Sequence, residues 1–489
     1  MTGIWLGADL GTQSVRVLAV TDDGDIAGSG SRPLDGTRTG ERHEQDPEQW
    51  WSAFAAAAGD ALAAVDRTRV RGIAVDATSG TILLADRSSA PLTPGLMYDD
   101  ARAAEQATRV DEAGAPVWAA LGYQRMQPTW ALPKLVWLAE NVQQARLPGA
   151  RLLHQPDLIT WRLAGHQVAA DASHGLKTGY HLRDLCWPLH VFDALDVPIG
   201  LLPDVVLPGS VLGTVCAEAA AQTSIPAGTA IVAGMTDSCA AQLAAGALDD
   251  GAWNSVLGTT LVLKGTARHP VHDPDGVVYC HRGPAGSWLP GGASSSGAGA
   301  LTRLLPGADL DALTAAAARR EPDAVTYPLA GSRGERFPIA DPGLEPFTLG
   351  SPGDDAAVFA AVLLGVACVE RLCFDHLDRL GAPIDGRLTF TGGATANRYW
   401  SQLRADLLGR PVSLPRHAQS AVGMAVLAAG HADRTPAEAA AAMVRMSGWV
   451  EPRDRPALTE RYLAFVDHLH DAGHLTGDLA RHAHERTTR

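Results

Sequence analysis

Leu6–Ser14 reads LGADLGTQS and joins two apolar runs of strand character, Gly3–Leu10 and Val15–Val20. A second copy lies far downstream: Asn254–Thr260 reads NSVLGTT and leads into the apolar run Leu261–Leu263. Each is a strand, a Gly-Thr turn with small hydroxyl or amide residues, and a second strand. Glycine allows the positive φ of a tight turn and leaves backbone N–H groups uncovered. Thr and Ser hydroxyls add donors, so such a turn can ring phosphate oxygens with hydrogen bonds. One copy alone reads as an ordinary hairpin. Two copies, the first with Asp9 just before its turn, predict a duplicated domain closing on a nucleotide from both sides.

The rest of the composition frames that reading. A chain of 489 residues exceeds one ordinary core and predicts two large domains. With 46% hydrophobic and 19% charged residues it has globular composition. The formal net charge of −14 argues against general nucleic-acid binding. The start, MTGIWLGADLGTQS, has no basic segment followed by a long apolar run, so no signal peptide is expected. No stretch of about 20 apolar residues lacks breakers, so no membrane span is expected either. Six scattered cysteines without a CxxC pair fit buried thiols in a reducing cytosol, and a cytoplasmic location is expected.

Alternating strand and helix patterns fill both halves. Asp46-Pro47-Glu48 is a helix start, followed by Trp51, Phe54, Ala58, Leu62 and Val65 at helical spacing. Strands follow at Gly72–Val75 and Thr81–Ala85, a loop at Pro198–Pro208, a strand at Thr229–Ala233 and an Ala-rich helix at Ser238–Leu248. After the second hairpin come a glycine-serine loop, Gly291–Gly299, and a long apolar helix, about Ala356–Leu377. A strand at Arg387–Phe390 then enters Gly392-Gly393, with helices at about Arg398–Leu408 and Ser420–Ala429. The expected fold is α/β, two domains at 1–248 and 249–440 with a cleft between them, and a peripheral helical extension at 441–489.

Several acids stand where chemistry could use them. Asp9 ends the first strand; it can accept from turn N–H groups or hold Mg²⁺, which prefers hard oxygen ligands. Asp237, in AGMTDSCAAQ, follows a strand and opens a helix. It reads either as an N-cap or as the base that takes a proton from an attacking hydroxyl. Phosphoryl transfer needs little of the protein beyond placing nucleophile, metal and γ-phosphate in line. Asp76-Ala-Thr-Ser-Gly-Thr81 supplies a run of hydroxyls suited to a polyol, or is merely a turn. Tyr98-Asp-Asp-Ala-Arg102 sets a fork donor beside two acids, elsewhere a solvated ion pair of little energetic value. Gly392-Gly393 before a helix lets a flat ring or phosphate approach the backbone. No HxxxH pair, GxGxxG or GxxxxGK[ST] is present, which excludes the common zinc, dinucleotide and P-loop signatures.

Taken in order, these motifs resemble the FGGY family of carbohydrate kinases within the actin/hexokinase/Hsp70 superfamily, over roughly residues 4–430. GADLGTQS resembles the first phosphate loop and EQDPEQWW (Glu44–Trp51) the stretch that follows it. YDDAR resembles W-x-D-x-R, GMTDSCAAQLAAGAL the segment of the catalytic base, and VLGTT the second phosphate loop. GERFP (Gly334–Pro338) resembles GER-x-P, and TGGATANRYWSQLRADLLGRPV (Thr391–Val412) the adenosine-binding segment. The resemblance implies two actin-like (ribonuclease H-like) domains, ATP, Mg²⁺ and a sugar or polyol substrate, with a homodimer as the family habit. Carried over, it makes Asp237 the base and sugar ligand, Asp9 the metal residue, and Ser79, Asp100 and Arg102 substrate residues. Gly11, Thr12, Gln13, Gly258, Thr259, Gly299, Gly392, Gly393, Ala394 and Asn397 become nucleotide residues. Tyr98 stands in place of the usual tryptophan. DATSGT replaces the GQMHG of xylulokinases and resembles ribulose-phosphorylating members, so D-ribulose is expected ahead of D-xylulose, erythritol or glycerol. A chaperone-like ATPase or a non-catalytic sugar sensor on the same core are the readings of another class. Sugar-independent turnover would mark the first, and sugar binding without ATP consumption the second.

Overall fold

The computed structural model describes residues 3–123 and 125–487. Its contacts divide into two compact units, one of Met1–Leu248, Cys280–Leu289 and His417–Arg445, the other of Asp249–Tyr279, Pro290–Arg416 and Met446–Arg489.

In the first unit the opening hairpin is the centre of a sheet. Ile4–Leu10 and Ser14–Thr21 pair antiparallel, with Ile26–Pro33 beyond them. On its other side Ile4–Leu10 pairs in parallel with Val70–Ala77, which continues to Ala230–Val232 and Val211–Thr214. Parallel pairing aligns strand ends, and that is what gathers the acids described below. One face is covered by the helix Pro47–Ala61, whose start is capped as expected: Asp46 accepts from Glu48 N, with Pro47 in the first turn. The core-facing tryptophan is Trp50, fully buried, and not Trp51. Trp51 lies at the rim, where its Nε1 donates to Gln222 at 2.7 Å.

The other face is covered by Ser420–Ala429, a helix buried from Ala421 to Ala429. Sequence places this segment in the C-terminal half, yet residues 417–445 pack in the first unit. The reason is its composition: a helix apolar all round must be buried on two sides. It lies between strand Ile4–Leu10 and helix Asp237–Ala244, with the closest approaches at Gly7 and Gly423.

The second unit repeats the plan. The hairpin Trp253–Leu257 and Leu261–Gly265 pairs in parallel with Leu388–Thr391, which pairs in parallel with Val412–Pro415. The expected loop Gly291–Gly299 is half strand: Trp288–Ala293 pairs with Leu261–Gly265 through Gly291–Ala293. Only from Ser294 does the chain leave the sheet, and three serines there donate to Glu335. The long helix Asp355–Arg379 is apolar and long enough to cross a membrane by length and composition, but 89% of its apolar window is buried within the protein. Inside it Glu370 is paired with Arg404 at 2.7 and 2.8 Å, which neutralises both charges out of water. Residues 446–487 are more than a peripheral cap. Met446–Val450 adds an edge strand beside Val412–Pro415, and Tyr462 and Phe465 of the helix Pro456–Asp471 are fully buried.

Candidate active site

Three acids meet in the first unit. Asp9 and Asp76 are register partners on neighbouring parallel strands. Asp76 is fully buried, and neither of its carboxyl oxygens has a hydrogen-bond partner. Burial, then the charges of Asp9 and Asp237, push Asp76 well above the ordinary carboxylate range. Burial also raises Asp9, and the Asp237 charge adds to it; the neighbouring Asp76 side chain and the Arg16 guanidinium act in the opposite sense. Sequence reading passed over Asp76 except as the first letter of its turn. The signal was its place at the end of a strand parallel to the one ending in Asp9.

Asp237 is the first residue of the helix Asp237–Ala244, and the residue in the cap position is Thr236. The N-cap reading is therefore not the geometry adopted. Ser238 N donates to Asp237 Oδ1 at 2.6 Å, and the Ser420 hydroxyl donates to the Asp237 carbonyl at 3.3 Å. Asp237 is half-buried, so its carboxylate keeps access to a ligand.

The Gly-Thr turn lies beside these acids. Gly11 N donates to the Ser14 carbonyl at 3.0 Å, closing the turn, while Gln13 is exposed. The Thr12 carbonyl accepts from Gln45 Nε2 at 2.7 Å, and Gln45 in turn accepts from Trp50. Tyr98, raised first by burial, also feels the Asp99 and Asp237 charges, and its side chain lies against Thr12. The YDDAR segment thus reaches the Gly-Thr turn and Asp237 through its tyrosine. Asp100 is fully buried and accepts from Arg102 Nε, Nη2 and N and from His43 N. With its oxygens so occupied it fixes Arg102, which also bonds Glu44 and lies 4.9 Å from the Trp137 ring centre.

The hydroxyl run bends at Gly80, whose φ of 103° excludes a side chain without strain. The Ser79 hydroxyl is buried with no partner, and its carbonyl accepts from Lys177 at 3.0 Å. Thr78 bonds Thr81 at 2.7 Å and Gln155 at 3.1 Å, and Gln155 Nε2 has no partner. Buried unsatisfied donors are costly, at about 1–3 kcal/mol each, and a polyol hydroxyl would relieve them.

In the second unit Thr259 is exposed at the tip of its turn and nothing stands near the Cβ position of Gly258. Ala298 N and Gly299 N donate to the carbonyls of Gly258 and Thr259 at 3.1 and 3.0 Å. A Cβ on Gly299 would crowd Thr259, so this glycine permits the close approach. Gly392 has φ of 87° and its Cβ position is filled by the Leu257 carbonyl. Gly393 is exposed, with open space around it, and Ala394 is half-buried. Asn397 caps the helix Arg398–Leu408 through Trp400 N at 2.9 Å, and its Nδ2 donates to Thr314 at 2.8 Å.

Among the described residues no group of three or more His, Cys, Asp and Glu side chains forms a metal cage. The Asp9 carboxylate, with Asp237 acting on it, offers few hard oxygen donors. That donor set fits Mg²⁺, which takes one or two carboxylates and completes its shell with water and phosphate oxygens.

The chain matches the N-terminal domain of the FGGY family of carbohydrate kinases over residues 4–244 and the C-terminal domain over residues 253–432. It is 30% identical over 440 residues to a xylulose kinase of Streptomyces rubiginosus, covering 87% of each chain. Its fold is similar to that of a xylulose kinase from Rhodospirillum rubrum, with a TM-score of 0.84 and 25% identity over 96% of this chain and 100% of the other. A xylulose-type kinase from Brucella ovis gives a TM-score of 0.86 at 26% identity, again over 96% and 100%. The chain belongs to the FGGY family of carbohydrate kinases, and it is a sugar kinase.

Proposed function

We propose that this kinase phosphorylates a hydroxyl of a ketopentose from ATP, with D-xylulose as the leading substrate and Asp237 as general base. The observation that supports the mechanism is the half-buried Asp237 beside the register-paired Asp9 and Asp76. Asp237 accepts the proton of the sugar hydroxyl as its oxygen bonds to the γ-phosphorus. The bond from that phosphorus to the β,γ-bridging oxygen breaks, and ADP leaves. Asp76, fully buried and pushed toward its neutral form, leaves the half-buried Asp9 as the carboxylate open to a cation. Mg²⁺, when bound at Asp9, neutralises phosphate charge. The Gly11-Thr12-Gln13 turn and the Gly258-Thr259 turn are assigned to phosphate oxygens, with Gly299 supporting the second of them. Gly392, Gly393, Ala394 and Asn397 are assigned to adenosine. Ser79 and Arg102 are assigned to the sugar, with Asp100 holding Arg102 in place.

D-Xylulose is placed first because the relatives named above are called xylulose kinases. The Asp76–Thr81 sequence favours D-ribulose and keeps it as the second reading. ADP release measured against ketopentoses, tetritols and glycerol separates them. Asp237→Ala is expected to lose about a hundredfold to ten-thousandfold in kcat with ATP binding retained. Wild-type turnover by that variant would remove the base assignment.

A further inference from the structure

One short helical turn, Ala172–Gly175, touches Thr236, which precedes Asp237, and Ala77, which follows Asp76. Ser173 Oγ accepts the Thr236 N–H at 3.1 Å and lies 3.1 Å from the Thr236 hydroxyl. The next residue, His174, donates from Nδ1 to Asp171 at 2.7 Å and reaches the Ala77 carbonyl from Nε2 at 3.4 Å. Thr236 precedes Asp237 and Ala77 follows Asp76, and these two are bridged as parallel neighbours. Ser173, His174 and Thr236 are fully buried, so water offers no substitute for these bonds.

The Thr236 hydroxyl shows that more than helix stability is at stake. A threonine in a cap position ordinarily bonds a first-turn N–H, for about 1 kcal/mol. Thr236 makes no such bond, and its hydroxyl is turned to Ser173 instead. A favourable cap is given up for a tie to another element.

We propose that Ser173 and His174 are positioning residues of the reaction, which together set the Asp237 carboxylate against the Asp9–Asp76 pair. This inference rests on Asp237 being the base. Small misplacements of a reacting group cost rate far more than binding.

The experiment compares Ser173→Ala, Thr236→Val and the double variant in the full chain, measuring kcat, KM for sugar and for ATP, and Tm. Each single variant is expected to lose about tenfold in kcat with KM for ATP within about twofold of wild type. Because Ser173→Ala removes both bonds to Thr236 and Thr236→Val only the hydroxyl one, the double variant should be no worse than Ser173→Ala by more than about twofold. His174→Gln, which keeps a donor for Ala77, should retain more kcat than His174→Leu. If Ser173→Ala does not fold, the near-isosteric Thr236→Val carries the test alone. A folded variant with kcat within twofold of wild type overturns the inference. So does a loss that disappears when the assay is run well below the variant's Tm. An active Asp237→Ala would instead overturn the base assignment, whereas an inactive Asp237→Ala beside a fully active Ser173→Ala removes only the positioning role.

Discussion

Asp9 and Asp76 stand opposite each other at the ends of adjacent parallel strands, and burial pushes both carboxyl groups above the ordinary carboxylate range. The pairing divides two chemically identical side chains into different roles. The fully buried member is pushed further toward its neutral form, and the half-buried member remains available to a cation.

Asp76→Asn keeps a donor toward Asp9 and removes the titration. A carboxyl whose folded pKa is raised binds its proton more tightly in the folded chain. Its contribution to stability is therefore complete below the unfolded value near 4 and falls away as pH rises through the folded value. Urea midpoints of the variant and wild type should coincide near pH 4 and separate in favour of the variant as pH rises. Parallel curves across that window would refute the raised titration of Asp76.

Asp9→Asn removes the candidate cation ligand. Chelation of Mg²⁺ should stop turnover in the wild type. The variant should need at least about tenfold more Mg²⁺ for half-maximal rate, the scale reported when even outer-shell partners of a metal are lost. A titration of initial rate against free Mg²⁺ checks this.

Gly7→Ala tests the seat of the helix Ser420–Ala429. A Cβ at Gly7 would collide with the Ala421 carbonyl oxygen, a backbone atom that no rotamer change can move. Overpacking of this kind costs about 1–3 kcal/mol or more, so the denaturant midpoint and soluble yield should both fall.

Arg404→Met strands Glu370 in the second unit. The pair is fully buried, and the guanidinium also donates to Ser255 and lies 3.6 Å from the Phe390 ring centre. Loss of one partner should destabilise by about 3–5 kcal/mol, and Glu370→Met added to it should restore most of that. Equilibrium unfolding of the three variants decides it.

Ser79→Ala probes the sugar pocket. Removal of one hydrogen bond, worth about 0.5–1.5 kcal/mol, should raise KM for the ketopentose by about two- to tenfold and leave KM for ATP unchanged. Steady-state kinetics with each substrate varied in turn will show whether the effect is confined to the sugar.

The elements that could be read in advance share a local cause. Asp46-Pro47-Glu48 marks a helix start because capping involves neighbours in sequence, Arg398–Leu408 is legible from its own periodicity, and Ser420–Ala429 from its alanine-rich, apolar composition. The glycine-serine segment was misread from Gly291 to Ala293 because its glycines serve close strand packing rather than a loop; a Cβ on Gly291 would strike the Leu263 carbonyl. Trp50 and Trp51 could not be ordered by spacing alone, since both border the buried face of their helix.

The sequence by itself determined the two Gly-Thr hairpins, the alternation of strands and helices and the acid at position 237, because turn chemistry and periodicity act over a few residues. Tertiary structure alone decided that Asp76 faces Asp9, that residues 417–445 return to the first unit, and that Thr236 binds Ser173. Those outcomes depend on register and burial between segments tens to hundreds of residues apart, where no local preference reaches.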